Sequence, residues 1–171
     1  MEQTHRASSV ETLLARLSGE VAPLWISFAV VIDRALDADR LRATLQILVE
    51  RTPRLRLAFD EERAQWQTVR RSATCLADAL RISEHPASAE SVQSEIINSP
   101  IDLRHDLPIR IWQRSLKDAA GPVLLAFQLH HAVGDGRALC RLTAEYLRLF
   151  HLCHNPEAAR SEWGGPREGV T

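Results

Sequence analysis

The stretch LHHAVGDGRAL, residues 129 to 139, gathers groups that can move protons. His130 and His131 are adjacent, and Asp135 follows one helical turn's worth of chain later. A free imidazole titrates at about 6.5, so it can accept a proton at neutral pH. Asp135 could hold an imidazole in one tautomer or pair with a buried arginine. Gly134 and Gly136 flank it. The chain has 7 glycines, and Gly164, Gly165 and Gly169 lie at its end, so this stretch holds half of those left in the body. Glycine there frees the backbone for a tight turn and lets a ligand approach closely.

The elements that must position these groups follow from hydrophobic periodicity. PVLLAFQL reads as a strand running into the histidines, and RALCRLTAEYLRLF reads as an amphipathic helix leaving them, with Leu139, Leu142, Tyr146 and Phe150 on one face. The histidines therefore sit where a strand ends. Strand neighbours point to opposite faces, so one imidazole faces inward and the other outward, with different tasks. Upstream, SSVETLLARL reads as a short helix capped by serine, with Glu11 in its first turn. Leu24 to Asp33 reads as a buried strand. Asp37 or Asp39 caps a helix carrying Leu41, Leu45, Leu48 and Thr52 on one stripe, which Pro53 stops. Leu55 to Asp60 and Ala64 to Val69 read as a hairpin. Residues 70 to 86 give no clear pattern. Ser88 to Asn98, between Pro86 and Pro100, reads as a helix. PIRIWQRS and PVLLAFQL read as antiparallel strands joined by a short loop. The expected fold is α/β (α+β), a mostly antiparallel sheet with helices on one face. The expected division is an N-terminal segment over 1–20, a lobe over 21–150, and a flexible tail or linker over 151–171.

Two plainer readings compete at the histidines. One is a strand end with chance histidines and an ordinary Asp-Gly turn. The other is a metal site, because His130, His131 and Asp135 are ligand types and His151, Cys153 and His154 add more. Adjacent strand histidines diverge, however, and the second cluster falls in the expected tail, so no metal is expected.

The residues HHAVGDG match the HHxxxDG signature, and here the chain resembles a known superfamily. Its members include condensation domains of nonribosomal peptide synthetases, wax ester synthase/diacylglycerol acyltransferase proteins, polyketide-associated acyltransferases and chloramphenicol acetyltransferase-like enzymes. Two further segments carry the resemblance: LDADRLRATLQILVERTPRLRLAF, residues 36 to 59, and SPIDLRHDLPIRIWQRS, residues 99 to 115. Order and distances agree over about residues 21 to 150. The resemblance implies a chloramphenicol acetyltransferase-like lobe. It implies that His131 is catalytic, removing or holding the proton of an amine or hydroxyl that attacks an acyl thioester. His130 would be structural. Asp135 would pair with Arg56, and Gly136 would stand beside the reacting atoms, with its N–H toward the developing oxyanion. The donor would be acyl-CoA or an acyl-phosphopantetheine carrier, with no tightly bound cofactor.

The chain also departs from the pattern. Thr52 and Pro53 stand where His-Glu or His-Pro is common, and Ile101 replaces a phenylalanine. Members of the condensation and wax-synthase branches have two lobes around a tunnel, and only the first is visible here. Three functions stay open. The chain could be an N-terminal lobe that needs a second lobe or partner chain, with an acyl or peptidyl carrier protein as a further partner. It could be a one-lobe enzyme that closes its site as a homotrimer using acyl-CoA. It could be a non-catalytic module that docks to a carrier protein or synthetase. Arg137 and Arg141 are candidates for a phosphate-attracting mouth, although a solvated helix face explains them as well. Trp25, Trp66 and Trp112 fall on expected strands and suit core or lobe-interface packing. Trp163, in the tail, could anchor a docked chain.

Composition adds bounds. With 171 residues, 45% hydrophobic and 25% charged, the chain suits one globular domain. A net charge of −1 gives no reason to expect nucleic acid. The longest near-apolar run, LWISFAVVI, is too short to span a bilayer. The N-terminus lacks the pattern of a signal peptide. Cys75, Cys140 and Cys153 are odd in number and far apart, as reduced thiols in a cytoplasmic protein would be.

Overall fold

A computed structural model of the chain describes residues 4–18, 24–69, 73–117 and 121–152. Its elements, in order, are β1 (Thr4–Arg6), α1 (Ser9–Leu17), β2 (Trp25–Ile32), α2 (Ala38–Arg51), a 3-10 turn (Pro53–Arg56), β3 (Leu57–Asp60), β4 (Gln65–Thr68), α3 (Ala73–Ala79), β5 (Leu80–Ala87), α4 (Ala89–Ile97), β6 (Ile109–Leu116), β7 (Val123–His130) and α5 (Gly136–Leu152). They form a mixed α/β fold with two sheets rather than one. The larger has the order β2-β7-β6-β5, and the smaller β1-β4-β3. All pairings are antiparallel except β5 with β6.

The caps are the ones the sequence signals. Ser8 and Glu11 form a capping box on α1, and Asp37 caps α2 by accepting from the Arg40 N–H. Pro53 ends α2 and opens the 3-10 turn, so the strand expected from Leu55 begins at Leu57. The expected hairpin is β3 with β4, and β1 joins it on the far side of β4.

Helices cover both faces of the larger sheet, not one. Along β7 all eight residues are buried, and they alternate between two clusters. Leu125, Phe127 and Leu129 join Ile109 and Ile111 of β6, Leu41, Leu45 and Leu48 of α2, and Tyr146 and Leu149 of α5. Leu124 and Ala126 turn the other way and meet Trp112 and, from α4, Val92 and Ile96. A strand buried at every position requires both sides to be covered. The α2–α5 pair is tied by the Tyr146 hydroxyl, which donates to the Leu41 carbonyl at 2.9 Å, and by an Arg51–Glu145 ion pair at 3.1 Å.

The buried strand expected over residues 24 to 33 is instead an edge strand. β2 pairs only with β7, and Phe28 and Val31 are 44% and 63% exposed. Its apolar composition resembles that of an interior strand, but one edge has no neighbour among the described residues. Trp66 and Trp112 are buried, and the Trp112 Nε1–H donates to Gln128 Oε1 at 3.3 Å. Trp25 is half-buried and donates to the Ile97 carbonyl at 3.1 Å. Trp163 lies outside the described residues. No described helix is long and apolar enough to cross a membrane.

Candidate active site

The two histidines occupy the last residue of β7 and the first of the turn that follows. His130 is fully buried at the end of β7, and His131 is exposed in the turn beyond it. The backbone of the pair is held from two distant segments. The His130 N–H donates to the Pro108 carbonyl at 2.9 Å, and the His131 N–H donates to the Leu24 carbonyl at 2.8 Å. Pro108 belongs to the SPIDLRHDLPIR segment, which is itself braced. Arg110 is buried, donates to Asp106 Oδ2 at 2.8 Å and reaches the Ser99 carbonyl at 3.2 Å. Thus the segment lies against the histidines, although nothing in its residue types announces that contact.

The His130 ring uses both nitrogens. Nε2 lies 2.7 Å from the Ser18 hydroxyl, and Nδ1 accepts the Ala132 N–H at 3.1 Å. Burial pushes its pKa down to about 4, and the neighbouring His131 pushes the same way. The ring is therefore neutral at pH 7 and serves as a brace. The Val133 N–H then donates to the His130 carbonyl, closing the turn at 3.1 Å, and the Arg54 guanidinium donates to the Val133 carbonyl at 3.2 Å.

Asp135 is exposed and starts α5. Its Oδ1 accepts the Ala138 N–H at 2.9 Å, and its carbonyl accepts the Leu139 N–H at 3.0 Å. The backbone N–H groups of Ala138 and Arg137 and the charge of Arg137 hold its carboxyl below the usual carboxylate range. The ion pair with Arg56 implied by the resemblance is not formed. Four unpartnered N–H groups at a helix start attract a carboxylate one residue away, and they take Asp135 first. Arg56 lies in the 3-10 turn after α2, and its buried Nε has no hydrogen-bond partner. The arginine that does touch the motif loop is Arg54.

The two glycines differ. A Cβ on Gly134 would lie 2.8 Å from the Ala138 Cβ and 3.0 Å from Leu129 Cδ2, so packing excludes a side chain there. A Cβ on Gly136 would meet nothing within 4 Å. Gly136 is exposed at the first position of α5, five residues after the exposed His131. Arg137 and Arg141 are exposed on α5. Among the described residues no group of three or more His, Cys, Asp or Glu side chains could hold a metal ion. Cys153 and His154 lie outside the described residues. The Cys75 thiol donates to the His105 carbonyl at 3.4 Å, and Cys140 is exposed.

The arrangement exposes one imidazole on a braced turn that leads into the N-terminus of α5 and a glycine with open space. Those parts can hold or take a proton and can steady a developing negative charge. Ser18, Arg54 and the Leu24 and Pro108 carbonyls belong to this site but carry no sequence signal. A serine far from the motif and a backbone carbonyl are found only once the chain is folded.

The family model for the condensation domain matches residues 16–159. No curated protein sequence matches the chain. Solved structures do. The first condensation domain of the calcium-dependent antibiotic synthetase, in complex with a substrate analogue, superimposes with a TM-score of 0.69 at 19% identity over 90% of this chain and 38% of its own. The X-domain from teicoplanin biosynthesis gives a TM-score of 0.66 at 19% identity, over 96% of this chain and 34% of its own. A variant of the starter condensation domain of rhizomide synthetase, in complex with C8-CoA, gives a TM-score of 0.65 at 18% identity, over 84% and 34%. At such identities the likeness is one of fold. The chain spans little more than a third of each of these structures.

Proposed function

The chain belongs to the condensation-domain family, and from that premise we propose that it is one lobe of a thioester-dependent acyltransferase. The acyl group leaves a thioester, on coenzyme A or on the phosphopantetheine of a carrier protein, and is received by an amine or hydroxyl. The observation that carries this reading is the exposed His131 imidazole on a turn fixed from four sides. As the acceptor nitrogen or oxygen bonds to the acyl carbon, its proton passes to or is held by His131. The carbonyl oxygen gains charge near the start of α5, where the Gly136 N–H is a donor for it. The C–S bond then breaks, and the departing thiolate takes the proton. His130 and Asp135 bind no substrate in this scheme. They hold the turn and the helix start.

The lobe supplies one wall of the site. His131 faces open solvent, whereas proximity and orientation require acceptor and donor to be confined together. We assign the second wall to another lobe or partner chain, packed along the exposed edge of β2. Phe28 and Val31 pair with β7 on one side, but their side chains are exposed on a strand whose other edge has no neighbour among the described residues, an apolar edge of the kind that proteins otherwise protect. The neighbour that holds C8-CoA supports a thioester donor.

The experiment is native mass by light scattering over a concentration series, followed by acyl-CoA and acyl-carrier turnover with and without the partner lobe. Expected are a monomer, or self-association through the β2 edge without a defined trimer, and no turnover by the chain alone. With the second lobe present, turnover appears and His131→Ala lowers it by about 10²–10⁴-fold. A defined trimer active on acyl-CoA would show a self-complete enzyme instead. Binding of a carrier protein with no turnover in any assembly, and no effect of His131→Ala, would leave a docking module.

A further inference from the structure

We propose that Ser18 is a positioning residue: its hydroxyl accepts the Nε2–H of His130, fixes that imidazole in one tautomer and so holds the turn that presents His131. The inference rests on the reading of His131 as the catalytic group.

The tautomer follows from the partners. The Ala132 N–H can only donate, so Nδ1, at 3.1 Å, must offer a lone pair. A neutral imidazole carries one proton, which is therefore on Nε2. His130 is fully buried, and a buried N–H without an acceptor is expensive. The Ser18 oxygen, 2.7 Å away, is that acceptor. In the opposite tautomer two N–H groups would face each other at Ala132. The contact between Nδ1 and Ala132 would open, and His131 is the residue between its two ends.

Ser18 is suited to the task because it is anchored independently of the motif. It is the C-terminal cap of α1. That helix is fixed at its start by the Ser8–Glu11 capping box and near its end by Arg16, which donates to the Glu61 carbonyl at 3.0 Å. β1, just before it, is paired to β4. The hydroxyl thus reports the position of the smaller sheet to the end of the larger one.

The test uses the full chain labelled with ¹⁵N-histidine and a long-range ¹H–¹⁵N correlation of the rings. The wild-type protein and Ser18→Thr are expected to show His130 protonated at Nε2 and bare at Nδ1. Ser18→Ala is expected to lose that single-tautomer pattern and to shift the His131 and Ala132 amide resonances, leaving those of β6 unmoved beyond Pro108. If Ser18→Ala does not fold, Ser18→Cys keeps the volume with a weaker acceptor, and mixed tautomers there support the proposal equally. A wild-type ring protonated at Nδ1, or an unchanged pattern in the Ala or Cys variant, overturns it. None of these readings involves acyl transfer, so they stand apart from the fate of His131→Ala in turnover.

Discussion

At the scale of single residues, neighbours in the sequence carry opposite duties. The motif marks both histidines, and alternation along a strand implies that they face different ways; the structure finds His130 buried and His131 exposed in the turn beyond β7. The partner of Asp135 was not legible: competition between a helix start and an arginine is decided in three dimensions. The glycines separate cleanly. Gly134→Ala is expected to destabilise the fold by about 1–3 kcal/mol, since Ala138 and Leu129 are backed by the core and cannot retreat freely. Gly136→Ala has room and is expected to leave stability unchanged or slightly raised in urea unfolding. The same pair measured in turnover separates a packing glycine from one beside the reacting atoms. His130 sets a pH dependence. Its folded pKa, about 4, lies below the unfolded value of 6.5, so the unfolded chain binds the proton more readily. Its contribution is complete above about 6.5 and is lost as pH falls toward 4, on the order of 3 kcal/mol in all. Urea midpoints taken across that window check it, and His130→Gln is expected to flatten the slope.

At the scale of elements, helices with a stripe and a cap were read well because those signals are local, whereas α3, Ala73–Ala79, was missed in the stretch that gave no clear pattern. Ser8, Asp37 and Ser88 all cap the helices they precede. Strands were read where apolar runs coincide with burial, as in β6 and β7. β1 was missed because Thr4, His5 and Arg6 have no strand character and are ordered only by β4. β5 was missed because LRISEHPA mixes charge with Pro86, which an edge strand tolerates. Its pairing with β6 is also parallel and broken by a register shift after Ser83. The first turn of α5 makes a prediction of its own. Asp135→Ala removes the acceptor of the Ala138 N–H and is expected to cost about 1 kcal/mol. A double-mutant cycle of Asp135→Ala with Arg56→Ala is expected to show no coupling, because the two side chains do not meet. A coupling above about 1 kcal/mol would restore the ion pair that the resemblance implied.

For the whole molecule, the sequence signalled a lobe but not which strand lies at the edge. WISFAVVI carries no mark distinguishing a strand covered on both flanks from one with a neighbour on one side. The exposure of Val31 makes the difference testable. Val31→Lys is expected to leave the melting temperature within a degree or so while weakening association along the β2 edge, seen in light scattering. The pairing of β2 also bears on the order in which the chain assembles. Its only strand neighbour among the described residues, β7, emerges roughly a hundred residues later, so a ribosome exposes an apolar strand long before that neighbour exists. α2 and the β3–β4 hairpin can settle first, being local. The pairing that sets Trp25 opposite His130 requires β7 to have been made. The turn bearing His131 follows β7 directly, so it cannot be set before that strand is made, and nascent chains stalled before β7 are expected to present β2 to chaperones.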